Sequence, residues 1–405
     1  MNFFLRLAPC ALGWLLAACH SDTKPTAGAS TNSVASAPAT AAALADSPGA
    51  CYRQYRGLRP GTTDTLELNL LVAPPRSDNS ELEGFFASYH GPDGHPYQLI
   101  GYPSRAADSV LLADISPEIV PEGDAGANWR LRRNKTELVG TLNGQPVRLR
   151  EARSAGSLAF AVRCFADSVV AFPGVRNSPV GHVSLQGLVP QASSPVLEAN
   201  LLRQMRGDTL PDAPASALPT IWTQCKAEFQ KMYRESAQES RQEAAADSSA
   251  DTNEDVPFGY GLSYEQQTAT YVLWNRAPLL SIGVFNYGYS GGAHGNYSTD
   301  AATYDTRTGQ RLRFADIFRP GTDAQLSKAL DQAVRRTLHI PAEDPLDLTL
   351  FVKHMPVTRN FYLTSSGAVF IYSPYEIASY AQGEVHVFVP LSELTSLMVP
   401  MQQVL

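Results

Sequence analysis

The sequence predicts an α+β fold: an N-terminal antiparallel β-meander closing into a small barrel or sandwich, then α+β domains with antiparallel sheets. Two observations predict it. Between Cys51 and Ala171, short alternating runs recur with turn residues between them. Beyond Pro195, amphipathic helical stretches and long β-branched or aromatic runs follow one another without βαβ alternation.

The meander reads element by element. Thr65–Leu70 alternates with period two, as a half-buried strand does. Gly84–Tyr89, Tyr97–Tyr102, Ser109–Ala113, Asn128–Leu131, Glu137–Leu142 and Val147–Arg150 continue the rhythm. Gly91-Pro92-Asp93-Gly94 and Asn143-Gly144 separate strand pairs, and the second is a two-residue hairpin signal because both positions accept positive φ. Residues 172–194 are rich in Pro, Gly and Ser and read as a linker. Val196, Leu197, Asn200, Leu201 and Met205 then fall at helical spacing, with Gly207 as the stop. A second helix is predicted from about Pro219 to Gln242. Its glutamates 235, 239 and 243 and aspartates 247 and 251 recur every fourth residue, so mutual repulsion predicts fraying there. These acids lie on one straight face and cannot wrap a calcium ion.

Thr268–Trp274 and Leu279–Tyr287 are strands joined by a turn at Asn275-Arg276-Ala277-Pro278. Thr322-Asp323-Ala324-Gln325 reads as a capping box opening a helix with Leu326, Leu330, Val334 and Leu338 inward and Pro341 at its end. Asn360–Leu363, Ala368–Tyr372 and Val385–Val389 are the last strands, the valines of the third on one face. The domains expected are 51–171, 195–275 and 276–405.

Composition narrows function by exclusion. The 405 residues carry 32 Lys and Arg against 39 Asp and Glu, a formal net charge of −7. That balance excludes a nucleic-acid partner, which demands a basic surface to displace counterions. No internal run reaches the 18 or so apolar residues of a spanning helix. No H-E-x-x-H motif occurs, and His90 and His95 flank a turn without a third ligand nearby, so neither a metal nor a cofactor is expected.

The N-terminus carries the address. Residues 1–19 have one cation, Arg6, before an apolar stretch from Leu7 to Ala18, the pattern of a secretory signal. Leu16-Ala17-Ala18-Cys19 resembles the bacterial lipobox, which implies cleavage before Cys19, acylation of that residue, palmitate included, and a cell-envelope location. His20 rather than Asp follows, so the inner-membrane retention rule of some bacteria is not met, which favours the outer membrane. Residues 20–50, rich in Ala, Ser, Thr and Pro, read as a disordered tether. With Cys10 and Cys19 accounted for, Cys51, Cys164 and Cys225 remain. Cys51 and Cys164 flank the first domain, so a bridge between them would staple its ends and leave Cys225 a buried thiol; pairing of Cys164 with Cys225 is the alternative.

One segment stands apart: Tyr289-Ser290-Gly291-Gly292-Ala293-His294-Gly295, three glycines and a histidine after a strand. As text, Gly288–Gly292 fits the G-x-S-x-G nucleophile elbow, but that elbow needs a helix directly after the serine. The residues that follow are glycines and β-formers. Asp316 with His354 or His386 would complete a triad in the right chain order, yet nothing in the sequence places them. The plain reading is a glycine-rich bend; the sharper one is a protruding loop that contacts a ligand.

This segment resembles the hallmark of a bacterial extracytoplasmic domain of unknown function. The likeness continues through Tyr304–Gly309, Phe314–Phe318 and Tyr372–Gly383 with the strand after it. Such a domain usually follows a second uncharacterised one, here over roughly 175–275. Together they resemble the sensor region of the lysozyme-responsive anti-sigma factor and the accessory region of a peptidoglycan deacetylase. The resemblance implies a lipid-anchored binding module for lysozyme or peptidoglycan, without catalytic groups of its own. The alternatives are a cell-wall hydrolase using Asp305, Asp316 or Glu376 near His294, and a structural or assembly lipoprotein.

Overall fold

A computed structural model describes residues 46–74, 85–102, 106, 108–119, 128–207, 216–246 and 260–400. The signal, the lipobox with Cys19, nearly all of the tether, and Asp247 and Asp251 lie outside the described residues.

The meander closes into an eight-stranded barrel: β1 (Cys51–Leu58), β2 (Thr65–Val72), β3 (Phe85–His90), β4 (Pro96–Tyr102), β5 (Ser109–Asp114), β6 (Trp129–Asn134), β7 (Glu137–Leu142) and β8 (Gln145–Glu151). Every neighbouring pair is antiparallel, and β8 returns to β1 through Tyr55–Glu151, Arg56–Arg150 and Gly57–Leu149. Gly57 makes this seam possible, because a Cβ there would strike the Arg148 carbonyl oxygen. Alternation fills the interior: Trp129 and Leu131 of β6 point in, while Arg130 and Arg132 point out. The Asn143-Gly144 hairpin is present, with φ of 50° and 75°.

The rest of the chain builds a six-stranded sheet in the order β14-β13-β12-β11-β10-β9. Its strands are β9 (Ala159–Val170), β10 (Val180–Gln191), β11 (Glu265–Arg276), β12 (Leu279–Tyr289), β13 (Asn296–Asp305) and β14 (Arg311–Leu312). All pairings are antiparallel except β10 with β11. Between those two, the chain crosses over through α1 (Pro195–Met205) and α2 (Leu218–Ala246).

This arrangement corrects the expected boundaries. Residues 172–194 are not a linker: most of them form β10, a strand inside the sheet. Its glycines mark helix contacts rather than loose chain. Phe229 and Tyr233 of α2 lie over Gly181, and Leu218 with Met205 of α1 lies over Gly187, each too close to admit a Cβ without movement. The first domain ends with β8 near residue 151, not at 171, since β9 pairs with β10. The boundary at 275/276 falls inside the β11–β12 hairpin. The disulfide expected between Cys51 and Cys164 is not formed; both stand as thiols, as does Cys225. Cys51 packs on the barrel core, whereas Cys164 sits on β9 against the sheet core, so the two side chains serve different interiors.

Helix α2 also runs further than predicted, through Glu239 and Glu243 to Ala246. Repulsion between exposed glutamates costs only a few tenths of a kcal/mol per pair. Burial of Phe229, Tyr233 and Ala237 outweighs it, at about 1.5–3 kcal/mol for a large side chain. Arg241 adds a cation–π contact 5.3 Å from the Phe172 ring.

A three-stranded sheet, β15 (Phe361–Leu363), β16 (Gly367–Tyr372) and β17 (Val385–Pro390), completes the chain with α3 (Phe314–Ile317), α4 (Asp323–Thr337) and α5 (Leu391–Leu394). Leu326, Leu330 and Val334 of α4 are buried in the core it shares with the β17 valines. The expected capping box is not made: the Thr322 hydroxyl donates instead to the Arg319 carbonyl at 2.7 Å.

The barrel and the six-stranded sheet meet through buried polar groups. Asn275 Nδ2 donates to the Leu158 carbonyl (2.8 Å) and to the Tyr52 hydroxyl (3.1 Å), and its Oδ1 accepts from the Leu158 N–H (2.9 Å). Gln54 Nε2 donates to the Asn275 carbonyl (3.1 Å), and Ser88 Oγ to the Val272 carbonyl (3.2 Å). Phe86 stacks on Tyr271 beside them at 5.1 Å.

Candidate functional site

Three stretches distant in sequence converge beside that interface. Residues 86–118 of the barrel, strands β11–β13, and the β16–β17 region line a cleft of about 340 Å³. A cavity of this size is at the small end of ligand pockets, which run from about 300 to 1,000 Å³.

Seven Phe and Tyr rings and two imidazoles line its walls. Phe86 and Tyr271 form one side, and Phe285 leans on Tyr297 at 5.9 Å. Tyr380 meets Tyr297 edge-on, also at 5.9 Å. His95 lies between Tyr97 and Phe388, its ring 4.4 Å from each. Strand geometry explains this: Phe285 and Tyr287 are two residues apart on β12, so both face one side of the sheet.

Two carboxylates sit among the rings, each beside a histidine. Glu118 Oε1 is 3.8 Å from His95 Nε2, and Glu384 Oε2 is 3.6 Å from His386 Nε2. Glu384 is held by Thr299, whose backbone N–H donates to Oε1 and whose hydroxyl donates to Oε2 at 2.8 Å. Burial pushes the Glu118 carboxyl above its usual range. Burial also drives His95 down to about 4, so this imidazole is neutral at neutral pH and supplies no charge to Glu118. Burial, reinforced by the Glu384 charge, raises the Tyr297 phenol to about 12. Nδ1 of His386 is buried with no hydrogen-bond partner among the described residues.

The Tyr289–Gly295 segment is the hairpin loop between β12 and β13, with φ of +88° at Gly291 and +98° at Gly292. Ser290, Gly292, Ala293 and His294 are exposed, and the segment is a glycine-rich bend. Tyr289 donates its hydroxyl to the Gly292 carbonyl at 3.0 Å. His294 stacks on Tyr380 at 3.8 Å, and the Tyr380 hydroxyl donates to the Gly295 carbonyl at 2.7 Å. The loop therefore packs against the Tyr372–Gly383 stretch, the same stretch that leads into Glu384. It stands beside the cleft, and of its neighbours Tyr287, Tyr297 and Tyr380 line the wall.

A serine elbow is absent: β13 follows Ser290, not a helix. The acids considered as its partners are engaged elsewhere. Asp316 accepts from the Arg313 N–H at the start of α3, and Asp305 binds Arg307 and Thr308 in its turn. Glu376 accepts from the Ser373 N–H, and His354 binds Asp331 at 2.8 Å. Among the described residues, no three His, Cys, Asp or Glu side chains are grouped to hold a metal. None of Glu118, Glu384 and the aromatic wall was singled out from the sequence. The available signal was Glu384 and His386 continuing directly from the Tyr372–Gly383 stretch.

Comparison with known proteins fits this architecture. Residues 212–297 match the family described as deacetylase PdaC, and residues 315–392 match a protein family of unknown function, DUF3298. The Tyr289–Gly295 loop thus falls in the first match and the Tyr372–Gly383 stretch in the second. A crystal structure of a DUF3298 family member from Bacteroides fragilis is similar in fold, with a TM-score of 0.52 at 20% identity over 62% of this chain and 98% of that one. A DUF3298 family protein from Pseudomonas aeruginosa aligns at 18% identity and a TM-score of 0.40, over 60% of this chain and 96% of its own. No curated protein matches.

Proposed function

From a C-terminal region that carries a PdaC-type segment followed by a DUF3298 domain, we propose a lipid-anchored cell-envelope protein that binds a cell-wall glycan in the cleft and performs no chemistry on it. The observation that carries this reading is the wall itself. Sugar rings present C–H faces that pack on aromatic side chains, and their hydroxyls donate to carboxylates such as Glu118 and Glu384. A cavity of about 340 Å³ accommodates a sugar unit or two, not the surface of a globular protein such as lysozyme. The anchor rests on Leu16-Ala17-Ala18-Cys19, and the envelope address on that signal together with the two family matches.

The test is calorimetric titration of the full chain, in mild detergent, with soluble peptidoglycan fragments. Binding that falls at least tenfold in Tyr297→Ala and Phe388→Ala supports the reading. Binding to lysozyme alone, unaffected by these changes, refutes it and moves the ligand site to the Tyr289–Gly295 loop. For the anchor, Cys19→Ser is expected to abolish palmitate labelling and release the protein from the membrane fraction; labelling that persists refutes it.

A further inference from the structure

The charge of the cleft says more about its ligand than the rings do. Among the residues that line it there are two glutamates and two histidines, and no lysine or arginine. Glu384 is 10% exposed and Glu118 16%. A neutral ligand that filled the cavity would strip remaining water from both carboxylates and offer no countercharge, and an anionic ligand would meet like charge. A cation reverses the balance twice: it pairs with the carboxylates, and it is attracted to the faces of the surrounding Tyr and Phe rings. Among the described residues that line the cleft, the basic groups near the carboxylates are imidazoles: His386, with Nε2 3.6 Å from Glu384 Oε2, and His95, 3.8 Å from Glu118. His95 stays neutral at neutral pH, and Arg336, whose charge reaches His95, is paired with Glu393 at 3.1 Å.

We propose that the cleft selects a sugar bearing a free amino group, a glucosamine-type unit whose ammonium sits between Glu118 and Glu384 while its ring faces pack on Tyr297, Phe285 and Phe388. This rests on the glycan reading above and goes beyond it by naming the group that decides affinity. The same arrangement disfavours the N-acetylated sugar, whose amide is neutral and brings the carboxylates no countercharge.

The experiment is paired titration of the full chain at pH 6 with the glucosamine trimer and the N-acetylglucosamine trimer, followed by the same pair against Glu118→Gln and Glu384→Gln. Glutamine keeps the shape and one acceptor for the Thr299 N–H, while its amide NH2 can donate to the Thr299 hydroxyl, so the Glu384 variant can remain tied to Thr299. The expected result is at least tenfold tighter binding of the free-amine trimer, with most of that preference lost in each variant and affinity for the acetylated trimer little changed. Equal affinity for the two trimers, or a preference that survives both substitutions, overturns the amine proposal and leaves the glycan reading standing. No binding of either trimer, nor of peptidoglycan fragments, overturns both. Circular dichroism identical to the parent's is the control that a variant is folded.

Discussion

Asn275→Ala removes one buried side chain and three hydrogen bonds at the junction of barrel and sheet. Both polar atoms of this side chain, 3% exposed as a residue, are engaged: Oδ1 with the Leu158 N–H, Nδ2 with the Leu158 carbonyl and the Tyr52 hydroxyl. Each such bond contributes about 1 kcal/mol net, and a buried group left without a partner costs about 1–3 kcal/mol. Alanine leaves both backbone groups of Leu158 unsatisfied, so the loss should be about 3 kcal/mol. Urea unfolding of the full chain, followed by fluorescence of the neighbouring Trp274, measures it. Asn275→Asp sharpens the test. It keeps an acceptor for the Leu158 N–H but turns a carboxylate oxygen toward the Leu158 carbonyl. Its deficit should be at least as large as alanine's at neutral pH and should shrink in acid, as the carboxyl protonates and can donate. A loss below about 0.5 kcal/mol for Asn275→Ala, or a pH-independent Asn275→Asp, would refute the assignment of this residue as the clamp between the two layers.

Three further outcomes are expected. Gly181→Ala sets a Cβ 2.9 Å from the Phe229 ring and 3.1 Å from Tyr233, and overpacking there should cost about 1–3 kcal/mol in urea unfolding, against almost nothing for Gly261→Ala, where no neighbour lies within 4 Å. Burial alone would raise the Glu67 carboxyl, but the Ser154 hydroxyl and the charges of His90, Arg56 and Arg276 hold it below its usual value. Stability from a depressed carboxyl is complete above its unfolded pKa and is lost as pH falls through the folded one, so Glu67→Gln should flatten the decline of stability between about pH 5 and pH 3; parallel acid-unfolding curves would contradict this. Gly295→Ala drives a methyl into the Tyr287 ring, a wall of the cleft, and should weaken sugar binding several-fold in calorimetry with little change at the exposed Ser290→Ala control.

The barrel strands were legible because each hairpin is local and alternation maps directly onto inside and outside, as in Trp129–Leu131 against Arg130–Arg132. Strand β1 escaped because its Gln54, buried against the six-stranded sheet, is polar and its apolar alternation is broken by arginines. Strand β10 escaped because Gly181, Gly187 and Pro190 carry the usual signature of a loop. Their reason for being there, the close approach of α1 and α2, belongs to the tertiary structure. The cleft was least legible of all. Glu118, Thr299 and Glu384 acquire meaning only when three segments meet, and of the three only Glu384 adjoins a stretch that stood out in the sequence. The loop at 289–295 was visible as a motif, but its role as a packing partner of Tyr380 was not.

The seam between β1 and β8 has a consequence for the order of events as the chain is made. Once residue 151 has emerged, the barrel can close with no contribution from anything later. Its sheet-facing side then presents Gln54, Asn69 and Ser88 to water, groups that hydrate readily and break up the apolar surface of Tyr52, Leu71 and Phe86 that the sheet later covers. Strand β9 has no such independence: it pairs with β10, which must itself wait for more than seventy residues of crossover before β11 arrives alongside. The barrel can thus be complete while its partner sheet is still being synthesised, with polar groups interleaved among the apolar ones on the face that waits.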